Sequence, residues 1–177
     1  MTHWGRAVVV AVLVAAPLGQ LQAQRQAAST NWITLGLGRA TWGGLTELGA
    51  QLSASHQAGR LVVSGRTLTG FDLLGSVLQV PGMIIDVEDY GLMAGAGNRA
   101  GLVRYSLGAG LGAATITRKG SSGSSDSHIK AVSVPLEGQL FIQPIPLLGV
   151  GVYGYGDLNK EKSFWGWSFS VSIGRAR

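Results

Sequence analysis

The chain has 177 residues, 28 of them glycine, no cysteine and a formal charge of +5. The missing cysteine excludes a disulfide framework, a thiol nucleophile and a cysteine-based zinc site, and the glycines carry no collagen period. Arg and Lys are scattered singly instead of forming a stripe, so nucleic acid is not an expected partner.

Met1 to Ala23 reads as a cleavable secretory signal: Arg6 in a basic lead, an apolar run from Ala7 to Ala16, then Pro17 and Gly19 before the small Ala23. The apolar run is about ten residues, half the roughly 20 that a spanning helix needs. Cleavage is expected after Ala23, which leaves one domain over residues 24–177.

Segments of period two follow, separated by turn signals. Ile33, Leu35 and Leu37 alternate with Thr34, Gly36 and Gly38; Leu48, Ala50, Leu52 and Ala54 alternate with Glu47, Gly49, Gln51 and Ser53. A third segment, Arg60 to Leu73, sets Leu61, Val63, Gly65, Thr67, Thr69 and Phe71 against Ser64, Arg66 and Asp72, with Val62 and Leu68 breaking the pattern. The fourth, Glu88 to Gly97, opposes Tyr90, Leu92, Ala94 and Ala96 to Asp89, Gly91, Gly95 and Gly97. In the fifth, Val103, Tyr105, Leu107, Ala109, Leu111 and Ala113 alternate with Arg104, Ser106 and three glycines. The sixth opposes Val132, Val134, Leu136, Leu140 and Ile142 to Ser133, Glu137 and Gln139, and its Pro135 requires a bulge or an unpaired position. In the seventh, Leu148, Val150 and Val152 oppose Gly149, Gly151, Tyr153 and Tyr155. The last, Ser163 to Gly174, is the clearest: Trp165, Trp167, Phe169, Val171 and Ile173 against Gly and Ser.

Eight such strands predict an all-β fold, an antiparallel up-and-down barrel. The apolar faces together exceed what a domain of this size can hide, and the opposite faces are Gly, Ser and Thr with isolated charges, as a narrow lumen requires. A soluble sandwich would instead turn Lys and Glu outward. The barrel is therefore expected to face lipid with Leu52, Tyr105, Leu111, Val134, Trp165, Trp167 and Phe169. The inward parity collects Glu47, Gln51, Arg66, Asp89, Arg104, Glu137 and Gln139, whose charges are expected to pair inside. Trp32, Trp42, Trp165 and Trp167, with Tyr90, Tyr105, Tyr153 and Tyr155, are candidate interfacial aromatics, although Tyr153 and Tyr155 have inward parity.

Connection lengths fit the same picture. His56 to Gly59, Asn98 to Gly101 and Gln143 to Pro146 read as short turns at one end. Leu74 to Val87, Lys119 to His128 and Asp157 to Lys162 read as longer connections at the other, with Arg39 to Gly44 only slightly longer than the turns.

On these features the chain resembles the small eight-stranded outer-membrane barrels of the OmpA/OmpX type. Gly166, Phe169 and Val171 in the terminal strand resemble the signal read by the barrel-assembly machinery, whereas Phe164 and the ending Ile-Gly-Arg-Ala-Arg depart from it. The resemblance implies outer-membrane lipid and that machinery as partners.

Catalytic signals are sparse. Gly95 to Ala100 loosely matches a dinucleotide fingerprint, but a strand follows it where a helix is needed. Asp126, Ser127 and His128 supply triad residue types, yet adjacent loop residues do not line up as triads do. His56 and His128 are expected at opposite barrel ends, so no shared metal site is expected. The sequence thus points to a non-enzymatic, monomeric outer-membrane barrel without cofactor, with a structural or surface-interaction role and a lumen filled by side chains. A lipid-modifying enzyme using His128 and a soluble lipocalin-like periplasmic barrel are the alternatives.

Overall fold

The computed structural model describes residues 29–42, 45–71, 84–118, 125 and 127–175. The expected signal segment lies outside them. The described residues form eight strands, β1 (Thr30–Trp42), β2 (Leu45–Ala58), β3 (Leu61–Phe71), β4 (Ile84–Ala100), β5 (Val103–Arg118), β6 (Ser127–Ile145), β7 (Leu148–Asn159) and β8 (Phe164–Arg175). Each pairs antiparallel with its neighbours in sequence, and β8 pairs back on β1 to close a barrel. The expected all-β, up-and-down architecture is the one observed, with β4 and β6 longer at both ends than their patterns suggested.

Register fixes the shape. Walking round the hydrogen-bonded partners from Asn31 through His56, Val63, Ala94, Ala109, Leu136, Gly156 and Trp165 returns to β1 at Thr41, ten residues further along. Ten residues at roughly 3.3 Å, set against eight strand spacings of roughly 4.8 Å, give a tilt of about 41°, within the usual range for closed barrels.

Three two-residue turns lie at one end, 59–60, 101–102 and 146–147, each shorter than its sequence pattern indicated. Gly59 and Gly101 open the first two with φ of 62° and 60°, the left-handed conformation that two-residue hairpin turns demand and that glycine adopts without strain. Pro146 cannot take that conformation, and there the β6–β7 register slips between Ile142 and Ile145. Each turn is also tied to the strand beyond it: the carbonyls of Arg60, Leu102 and Leu147 accept hydrogen bonds from the amides of Gly97, Gln143 and Gly174 at 2.8, 2.8 and 3.0 Å.

At the opposite, loop end the β1–β2 connection is only residues 43–44. The expected alternation of short and longer connections therefore fails there. The other three connections span residues 72–83, 119–126 and 160–163. The last winds around Asn159, whose Oδ1 accepts from the amides of Glu161 and Lys162 at 3.1 and 2.6 Å.

Pro135 produces no bulge. The β5–β6 register is the same on both sides of it, and the two rungs between Ala109–Leu136 and Gly112–Ser133 are missing. The ring points inward over Gly91, where an added Cβ would sit 2.8 Å from the proline Cγ.

Candidate functional site

The barrel interior is where inward side chains from all eight strands converge. It divides by height into three layers.

At the loop end the filling is apolar. Ala40, Trp42, Leu68, Val87, Ile116, Tyr153, Tyr155 and Phe164 form one buried cluster, with Ile129 against it. This corrects two expectations. Trp42 and, at the other end, Trp32 are buried inside instead of facing the bilayer interface. Val62 and Leu68, which seemed to break the strand pattern, are also interior, so the lumen is not uniformly hydrophilic. Room for Trp42 comes from Gly70, where an added Cβ would stand 2.5 Å from the indole ring.

The middle layer is a polar network. Arg66 and Asp89 form a fully buried ion pair, and Arg66 Nη1 also donates to the Leu136 carbonyl at 2.9 Å. Glu137 accepts hydrogen bonds from the hydroxyls of Ser64 and Tyr153. Gln51 Nε2 donates to Ser170 Oγ at 3.2 Å, and Ser170 pairs with Ser168 at 2.9 Å. These contacts join six strands, β2, β3, β4, β6, β7 and β8, across the lumen, while Gln51 Oε1, Arg66 Nε and Asp89 Oδ1 are buried without a partner.

Toward the turn end, Trp32 Nε1 donates to Gln139 Oε1 at 3.2 Å. The Arg104 guanidinium lies 4.0 Å from the Trp32 ring centroid and 5.2 Å from that of Phe141, and its Nη2 donates to Ser172 Oγ at 2.8 Å.

Of the residues assigned to the lumen, Gln51, Arg66, Asp89, Arg104, Glu137 and Gln139 are buried, and Glu47 is half-buried near the loop end. The structure pairs Arg66 with Asp89, hydroxyls hold Glu137, and aromatic rings flank Arg104. The sequence reading passed over Ser64, Ser170, Ser172, Phe141 and Trp32 as partners. Parity alone would have placed all five inside. The residues assigned to the outer face, Leu52, Tyr105, Leu111, Val134, Trp165, Trp167 and Phe169, are all exposed on the barrel exterior, with Trp167 edge-on to Phe169.

The catalytic candidates gain no support from geometry. His128 Nδ1 lies 3.1 Å from Thr117 Oγ1 in an exposed position, and Asp126 lies outside the described residues. His56 Nδ1 pairs with Asn31 Oδ1 at 2.7 Å near the turn end. Gly95 to Ala100 form the end of β4 running into a turn. No group of three metal-ligating side chains occurs among the described residues.

No protein-family model matches the sequence, and no curated protein matches it. Solved structures do. Neisserial surface protein A (NspA) superposes with a TM-score of 0.61 at 13% identity, over 82% of this chain and 96% of that one. Ail, the attachment invasion locus protein of Yersinia pestis, in complex with the heparin analogue sucrose octasulfate, gives 0.58 at 14% identity over 82% and 97%. The N-terminal barrel domain of Pseudomonas aeruginosa OprF gives 0.61 at 13% identity over 83% and 99%. With the closed eight-strand topology, these likenesses give the chain the fold of the small outer-membrane β-barrels.

Proposed function

We propose that the barrel crosses the outer membrane of a Gram-negative-type envelope as a monomeric, non-enzymatic protein, with lipid around its belt, the loop end outward and the lumen filled by side chains. Its role on this reading is structural or one of surface interaction through the loop end, where connections reach twelve residues, 72–83.

The outward face is the observation that carries the reading. Twenty-eight large apolar residues among those described are exposed, from 39% at Trp167 to 81% at Val132. They lie on all eight strands or the turns beside them, with β3 contributing Thr67 and Thr69 above Leu61 and Val63. Exposed apolar patches beyond a few hundred Å² are rare on soluble monomers, and a lipocalin-like barrel would turn these side chains inward. On β6 the belt extends from Val132 to Ile142, which at the strand tilt above is about 25 Å of height, the thickness of an outer-membrane hydrocarbon core. Tyr90 and Trp165 lie toward its upper edge and Tyr105 toward its lower one, where amphipathic rings meet headgroups. On the same reading, β8 serves as the segment that the barrel-assembly machinery recognises.

Fractionation of the envelope tests it. The mature protein is expected in the outer-membrane fraction, released only by detergent, and migrating faster on gels before heating than after. Recovery in the detergent-free periplasmic extract would overturn the proposal.

A further inference from the structure

The turn end of the barrel has a polar cleft on its outer wall. Arg60, Ala96, Gly97, Asn98, Tyr105 and Leu107 line a space of about 370 Å³, toward the lower bound for small-ligand clefts. Arg60 belongs to the β2–β3 turn, and Asn98 and Tyr105 face each other on β4 and β5. Two residues further up these strands Ala96 faces Leu107, with Leu61 on its other side. All of these except Gly97 are exposed. The small Ala96 between two leucines leaves a furrow that leads from the polar groups into the apolar belt.

The polar groups are held in place from behind. The Arg60 carbonyl accepts from the Gly97 amide at 2.8 Å, and Gln57 Nε2 donates to the carbonyls of Gly59 and Gly97 at 2.7 and 3.3 Å, so the turn is fastened to β4 beside the cleft. No carboxylate among the described residues pairs with the Arg60 guanidinium. Asn98 Oδ1 accepts from the Arg99 amide at 2.8 Å, which commits the oxygen of that side chain and leaves its Nδ2 hydrogens as donors. Charge at this rim has one sign. Residues 55–64, 97–106 and 142–151, the three turns with the strand ends beside them, hold Arg60, Arg99 and Arg104 and no Asp or Glu.

We propose that this cleft binds one anionic glycerophospholipid from the leaflet around the turn end. Its phosphate lies against Arg60, Asn98 Nδ2 and the Tyr105 hydroxyl donate to phosphate or ester oxygens, and the start of an acyl chain lies on Ala96. The planar fork of a guanidinium matches two phosphate oxygens, and a tyrosine suits the boundary between hydrocarbon and headgroups. A net negative head is preferred over a zwitterionic one, because an ammonium group would meet arginines and no carboxylate here. The proposal rests on the outer-membrane reading above.

The test folds the mature barrel into vesicles of equal parts dimyristoyl phosphatidylglycerol and dimyristoyl phosphatidylcholine, which differ only in the head. The protein is then extracted in maltoside detergent and weighed with its retained lipids by native mass spectrometry. Phosphatidylglycerol is expected to stay bound in about fivefold excess, the contribution of one arginine near a membrane surface. Arg60→Gln is expected to bring the ratio to about one, and Tyr105→Phe to lower it about twofold. Arg39→Gln, the same change of charge at an exposed position toward the loop end, leaves it unchanged. The gel-mobility shift shows that each variant is folded, and Tyr105→Phe carries the test if Arg60→Gln is not. A barrel that inserts but retains both lipids equally, or loses its preference as fully in Arg39→Gln as in Arg60→Gln, overturns the proposal and leaves the outer-membrane reading standing. A barrel that never enters the vesicles overturns both.

Discussion

Asp89 lies against Arg66 with both side chains wholly removed from the surface, and what happens when one of them is removed follows from that burial. Asp89→Ala leaves a guanidinium with two carbonyl acceptors, those of Leu136 and Gly156, but without its counter-charge. A loss of about 3 kcal/mol is expected, the low end for breaking a buried pair, as measured by urea unfolding in lipid vesicles. Replacing both partners, Arg66→Met with Asp89→Leu, should recover most of it, since a buried pair is rarely better than well-packed apolar groups. Steric demands are equally local. Gly70→Val pushes into the Trp42 ring and should cost about 1–3 kcal/mol. Adding Trp42→Leu to the same chain should return part of that loss, and a double-mutant cycle would reveal the coupling.

At the scale of strands and turns, the positive φ of Gly101 makes Gly101→Val unfavourable by about 1–2 kcal/mol, whereas Gly101→Asn should be tolerated. Thermal transitions of the two variants, compared in one detergent, check this. The strands themselves were legible because parity repeats: Trp165 to Ile173 announces β8 without any neighbour in view. Parity was misread where residue type was allowed to outvote it. Trp32 and Trp42 share the face of Thr34, Gly36 and Gly38, yet tryptophan's affinity for interfaces suggested the outside. The contacts were not legible at all. Arg66 meets Asp89 through the β3–β4 register, and Trp32 meets Gln139 across the lumen through the offset that accumulates around the barrel. A slip of two residues between β3 and β4 would keep every side chain on its own face and still change both pairs.

Taken whole, the molecule exchanges the usual arrangement of a water-soluble fold, with polar side chains gathered inside and the oily ones outside. Its stability should therefore depend on where along the barrel height a charge is introduced. Leu52 pairs with Leu35, which pairs in turn with Val171, and these lie near mid-belt. Leu52→Arg is expected to cost about 2–4 kcal/mol and Ile142→Arg, at the belt's lower edge, about 0–1 kcal/mol. Equal costs in reversible vesicle unfolding would show that no hydrocarbon slab surrounds the wall.

The carbonyl clasps of Arg60, Leu102 and Leu147 onto the strands ahead of them make one rim of the cylinder a stitched hem. Splicing an unrelated epitope into the connection at the other rim, for instance between Gly75 and Ser76, leaves every stitch of that hem untouched. The barrel should then carry foreign sequence outward as readily as its own, and antibody labelling of intact cells would read it directly.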